Sequence, residues 1–178
     1  MDALSFKNAL QAAKPDMVSL LGEGLSSDEA ADIIATFEVR ERAVEQDTSL
    51  PDSTLNDLFA RYDASNVEIG MVRFCHVPEQ VSYGYIIGQV EADYLALEAS
   101  SGEVTVRDIT CPDHTIWTCA RDGTSLLAAL AAAAKYLGAG IAIDQSGSEL
   151  QCQTLDRCIL LAGGPAHGDF YRMLLGVE

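Results

Sequence analysis

Ile87-Gly-Gln-Val-Glu-Ala-Asp-Tyr-Leu-Ala-Leu-Glu-Ala-Ser-Ser-Gly-Glu-Val-Thr-Val-Arg107 reads as two short strands joined by a tight turn at Ser100-Ser101-Gly102. The arms run from Tyr94 to Ala99 and from Glu103 to Asp108. In the second arm Val104 and Val106 share one face, and Glu103, Thr105 and Arg107 share the other. Such alternation predicts a strand with one side on a core and the other toward solvent. The stretch carries no catalytic nucleophile, no metal-ligand set and no phosphate loop. It points to a binding domain rather than an enzyme.

Working outward, Val67 to Cys75 and Tyr83 to Val90 are rich in residues that suit a pleated surface, and His114 to Cys119 is one more strand candidate. Helices flank this run. Residues 3–14 place Leu4, Phe6, Leu10 and Ala13 at helical spacing, with Pro15 as a stop. Ser26 and Glu29 form a capping-box pattern ahead of Ala30, Ile33, Ile34 and Phe37. Leu50-Pro51-Asp52 opens a helix with Leu55, Leu58, Phe59 and Tyr62 on one face, Pro51 suiting an early helical position. Glu41 to Ser49 reads as a loop.

Thr124 is the expected cap of a helix that runs to Leu137 and stops at Gly138. Being apolar nearly all round, that helix should be buried. Ile141 to Asp144 is short and ambiguous. Leu155 to Ala162 and Phe170 to Leu175 read as short helices split by Gly163-Gly164-Pro165. Helices, then sequential strands, then helices make an α+β single domain with a largely antiparallel sheet flanked by helices. The expected division is an N-terminal helical lead (1–24), a core domain (25–138) and a C-terminal helical extension packed on the core (139–178).

The chain has 178 residues, 48% of them apolar, enough to bury one sizeable core. Its 27 acidic and 11 basic residues give a formal charge of −16. That balance repels nucleic-acid phosphates and an anionic membrane surface, so neither is an expected partner. It suits a basic protein partner, or solubility alone. The cysteines at 75, 111, 119, 152 and 158 are odd in number and scattered, which is no disulfide framework and favours a reducing compartment. The N-terminus lacks a basic region followed by an apolar one, so no signal peptide is expected. Leu126 to Leu137 is shorter than the roughly 20 residues a membrane span needs. A cytoplasmic location and no cofactor are the resulting expectations.

Several residues could carry chemistry. Cys75-His76 with Cys111-x-x-His114 could supply tetrahedral zinc ligands, but the spacing repeats no known finger, and a small core cysteine with exposed histidines explains the pattern equally. Cys119 precedes a helix whose dipole could lower its thiol pKa, with His114 or His167 as base and Asp113 or Asp169 to orient it. A buried cysteine is the plainer reading. Gly163 to Gly168 lacks the Lys-Ser/Thr and strand context of a phosphate loop. Asp28, Glu29 and Asp32 suit a helix N-terminus without further explanation. Asp63, Glu91, Asp93, Glu98 and Asp108 are different, because some of them must sit on the sheet or its rim without local cations to pair. They, with Tyr83 and Tyr85, are the candidate partner-binding residues; Tyr94 could add a further aromatic contact. A solvated face, or for the tyrosines the core, is the competing reading.

The order of elements resembles the SUKH superfamily, which includes cell-wall synthesis regulators and bacterial immunity proteins. The similarity lies in the helix of Leu25 to Phe37, in Leu50-Pro51 with Leu58-Phe59 and Tyr62-Asp63, and in Ile87-Gly88 with the hairpin after it. It extends to Cys119-Ala120 through Leu130, although Leu126 stands where the family has an aromatic residue. The resemblance spans roughly residues 20–138. It implies binding of a protein partner, frequently a toxin, and implies no catalytic residues. An immunity-type protein that occludes a toxin is the first expectation. A regulatory or scaffolding domain of the same kind, and a cysteine-dependent hydrolase, are the alternatives.

Overall fold

The computed structural model describes residues 1–140 and 149–177. It is a mixed α+β structure, with helices packed against a curled, wholly antiparallel sheet. The expectation for Ile141 to Asp144 lies outside the described residues.

Helix α1 (Ala3–Ala13) starts where the Asp2 carboxylate accepts from the Ser5 N–H at 2.7 Å. It buries Ala3, Phe6 and Leu10, one stripe at helical spacing. Helix α2 (Met17–Gly22), capped by Asp16, has no counterpart in the sequence reading. It is short and leaves Met17, Val18 and Leu21 exposed, so no apolar stripe announces it. Helix α3 (Ser27–Ala35) carries both bonds of the expected capping box between Ser26 and Glu29.

Helix α4 (Ser53–Arg61) is capped by Asp52, so Pro51 precedes the cap instead of lying inside the helix. One Asp52 oxygen accepts from the Leu55 N–H at 2.8 Å, the other from the Gly123 N–H at 2.9 Å. A single carboxylate thus joins the starts of two helices. A Cβ at residue 123 would sit 2.5 Å from Asp52 and from Leu55, so the approach requires glycine. Helix α5 (Gly123–Gly140) is also capped by Asp122, whose side chain accepts from the Ser125 N–H at 2.7 Å; Thr124 is not the cap. As its composition predicts, α5 is buried along Leu126, Leu127, Ala129, Leu130, Ala133 and Ala134.

Two short strands, β1 (Arg40–Glu41) and β2 (Tyr62–Asp63), form a separate ribbon, so the predicted loop at 41–49 begins on a strand residue. The main sheet runs β3 (Glu68–Ile69), β4 (Val72–Val81), β5 (Gly84–Val90), β6 (Asp93–Glu98), β7 (Val104–Arg107) and β8 (Thr115–Ala120). Its spatial order equals its chain order, an antiparallel meander. The strand expected over Val67 to Cys75 is broken by a turn at Gly70-Met71. The opening hairpin forms as read: Leu95 faces Val106 and Leu97 faces Val104. Gly102, at φ +77°, donates to the Glu98 carbonyl at 3.0 Å and closes the turn.

Leu95, Leu97, Val104 and Val106 join Phe74 in the core beneath α1, α4 and α5. Phe74 meets Phe6 of α1 and Phe59 of α4 edge to face, at 6.0 and 6.2 Å. After α6 (Glu149–Ala162), Gly163 and Gly164 break the helix at φ +120° and +117°. A 3₁₀ turn (Pro165–His167) and α7 (Gly168–Leu175) follow. The Thr118 hydroxyl of β8 donates to the Ala166 carbonyl at 3.0 Å, and Trp117 packs on Phe170. The lead and the C-terminal helices contribute to one core, Phe6 and Leu10 at one end of the chain and Cys158, Phe170 and Tyr171 at the other.

Candidate partner-binding surface

The outer face of β6 and β7 is not the solvated face that the alternation predicts. Ala96 is fully buried and Thr105 is 3% exposed. Glu98, expected to lie there without a cation, is 7% exposed and fully engaged. Its carboxylate takes a fork from Arg107, Nε to Oε1 at 2.7 Å and Nη2 to Oε2 at 2.8 Å. The Thr105 hydroxyl donates to Oε1 at 2.5 Å. The cause is strand periodicity. Thr105 and Arg107 lie two residues apart on one face, and the long Arg107 side chain reaches back over that face to Glu98. The guanidinium lies 4.4 Å from the centre of the Tyr83 ring. Burial pushes the Tyr83 hydroxyl pKa up, and its oxygen has no hydrogen-bond partner among the described residues. Glu98 therefore belongs to an internal cluster, with the half-buried Tyr83 at its edge.

Three other candidates meet at one end of the sheet. Glu91 is exposed in the β5–β6 turn, where its amide donates to the Met71 carbonyl at 3.0 Å. It holds φ +54°, a left-handed conformation unusual for a residue other than glycine. Asp93 accepts from the Ile109 N–H at 3.0 Å and so joins this turn to the β7–β8 loop. Asp108 shapes that loop by accepting from the Thr110 hydroxyl at 2.6 Å, the Thr110 N–H at 2.7 Å and the Cys111 N–H at 3.2 Å. These bonds, the Thr110 hydroxyl foremost, hold its carboxyl below the ordinary value.

Asp113, read from the sequence only as an orienting residue for a histidine, stands exposed on the same loop, as does Ile109. Glu91, Asp93, Asp108 and Asp113 form no ion pair among the described residues. These acids make an acidic rim at one end of the sheet, on the same two connections as the exposed Ile109. Tyr94, paired in register with Arg107, is half-buried beneath it. Tyr85 is half-buried and packs against the core.

Asp63 is placed apart from this group, on β2. It accepts from the Ser65 hydroxyl at 2.7 Å and N–H at 3.0 Å, and lies 3.2 Å from His76 Nδ1. Burial pushes its carboxyl up, but the Ser65 and His76 contacts outweigh burial and hold it below the ordinary value. Arg42 closes the group from the other side, donating to the carbonyls of Phe59, Tyr62 and His76. An open cleft of about 590 Å³ runs beside it, lined by residues 40–46 and Asp63, with both signs of charge.

The thiol candidates have other surroundings than catalysis needs. Cys119 is fully buried on β8, and burial drives its thiol pKa well up, the reverse of the expected dipole effect. The amide of Gly123, at the start of the following helix, is already bonded to Asp52, and that of Ser125 to Asp122. Cys75 is pushed up to about 12, again by burial. His114 is exposed, whereas His167 is buried with Nδ1 unpartnered among the described residues. Among the described residues no group of three or more His, Cys, Asp or Glu side chains is assembled to hold a metal ion. No helix among them is long and apolar enough to cross a membrane. Compared with known proteins, the chain matches no family model, no curated protein and no solved structure.

Proposed function

We propose that this chain is an immunity-type binding protein that neutralises a basic toxin domain by covering its working surface. The observation that carries the reading is the convergence of Glu91, Asp93, Asp108 and Asp113 on the same two connections as exposed Ile109, in a chain of net charge −16. The carboxylates supply attraction and Ile109 supplies apolar contact. Complementary charge raises association rates roughly 10- to 1000-fold at low salt, while steric occlusion needs no chemistry from the binder. The SUKH resemblance read from the sequence supports the same reading, since it implies binding of a protein partner. Five free cysteines, two of them exposed, support a reducing, cytoplasmic setting.

The test is capture from the native cell followed by mass spectrometry, then kinetics with the captured protein. Glu91→Lys with Asp93→Lys is expected to slow association by about tenfold or more at low salt and to flatten its salt dependence. An unchanged on-rate refutes the acidic rim as the docking surface.

A further inference from the structure

We infer that Arg107 is the positioning residue of the acidic rim: it ties the tip of the β7–β8 loop to a buried acid on the outer face of the sheet. This rests on the rim as the partner surface, but its evidence is separate. The Arg107 guanidinium divides its donors. Nε and Nη2 hold Glu98 at 2.7 and 2.8 Å, and Nη1 donates to the Pro112 carbonyl at 2.7 Å. Pro112 precedes Asp113 and follows Cys111, so this bond sits at the crest of the loop that carries the rim.

The pieces on either side of the guanidinium are held firmly. Glu98 is fixed by the Thr105 hydroxyl as well as by the fork, and the guanidinium rests on the Tyr83 ring at 4.4 Å. At its start the loop is fixed by Asp93 through the Ile109 amide. Internally it is held by the Asp108 carboxylate, through Thr110 and Cys111, and by main-chain bonds from Cys111 to Asp108 at 3.2 Å, His114 to Cys111 at 2.8 Å and Asp108 to His114 at 3.2 Å. Those bonds stay within the loop; among the described residues the bond from Arg107 ties its crest to the outer face of the sheet, and with it the pose of Asp113 relative to Asp93 and Asp108. The planar fork suits this divided task, because its donors point in fixed, different directions. A lysine ammonium keeps the charge but cannot hold the Glu98 carboxylate in a fork and the Pro112 carbonyl together.

Amide hydrogen exchange on the free protein is the test, read at Cys111 and His114. Arg107→Lys is expected to speed exchange there by about tenfold or more, the scale set by loss of a charge-assisted bond, while Gln89 and Tyr94 in the β5–β6 ladder stay protected. Thr105→Val removes a donor to Glu98 but leaves the Pro112 link, so it should lower the melting temperature without changing exchange at Cys111 and His114. Unchanged loop exchange in Arg107→Lys overturns the inference, and so does equal acceleration by Thr105→Val. If Arg107→Lys does not fold, Glu98→Gln serves instead: it keeps the shape, loosens the fork, and should raise loop exchange above that of Thr105→Val. Since no partner enters the measurement, the result is independent of whether the rim binds a toxin.

Discussion

Glu91 and Glu98 belong to the same pair of turns and face opposite fates. Glu98 is withdrawn into a buried fork with Arg107, whereas Glu91 stands exposed, in a left-handed conformation and without an ion pair among the described residues. Nothing in the residue type separates them. What does is the strand beside each: Glu98 has Thr105 and Arg107 on its own face, and Glu91 sits in a two-residue turn with its amide on the Met71 carbonyl. An acidic residue in a hairpin is thus a stabilising or a displaying element according to its cross-strand neighbours.

The largest expected effect breaks the buried half of this contrast. Arg107→Ala leaves Glu98 charged and unpaired, and should cost about 3–5 kcal/mol in chemical denaturation. Replacing both partners together, Glu98→Leu with Arg107→Met, should recover much of that loss, because the penalty lies in the orphaned charge. If Arg107→Ala unfolds at the same denaturant concentration as the natural protein, the pair is not the buried element described.

A smaller effect, of opposite sign, is expected on the exposed half. Glu91→Gly relieves a left-handed residue costing roughly 1–2 kcal/mol but adds backbone freedom to the unfolded chain, worth roughly 0.5–1 kcal/mol. Stability should stay level or rise by about 1 kcal/mol, read as the shift in denaturation midpoint. A clear loss of stability would show that Glu91 makes an internal contact.

The hairpin itself, the capping box at Ser26 and Glu29, the buried α5 and the helix break at Gly163-Gly164 were all legible in the sequence, because each is set by local pattern. The fate of Glu98 was not, since it depends on the curl of the sheet and on how far Arg107 can reach. The rim was half legible. Glu91, Asp93 and Asp108 stood out as acids of the sheet or its rim, but the Asp93 bond to Ile109 is what shows that two separate connections meet. Asp113 escaped notice because its sequence neighbour His114 suggested a different role. Asp63 stood out for the same reason as the rim acids, yet its partner His76 arrives from another strand.

The smallest expected effect concerns the shape of the rim. Asp108 has its carboxyl held below the ordinary value by Thr110. A depressed folded-state value means that the contribution is complete above the unfolded value of about 3.9 and is lost as pH falls through the folded one. The Thr110 amide resonance should therefore stay constant from neutral pH down to about pH 4 and shift only below it. A transition near pH 5 or above that persists when His114, which faces Asp108, is replaced by alanine would show that Thr110 does not hold the carboxylate.

The meander has a consequence for how the chain reaches its shape. Every strand of the main sheet pairs with the strand next to it in sequence, so the sheet can assemble hairpin by hairpin across short loops. Helix α1 is different: it packs on α5, more than a hundred residues away along the chain. Closing that span carries the larger entropic cost, and the α1 packing is complete only once α5 is seated beside it. Helix α1 is thus among the last elements to be fully seated. Substitutions at Phe6 or Leu10 should hasten unfolding while leaving the folding rate nearly untouched.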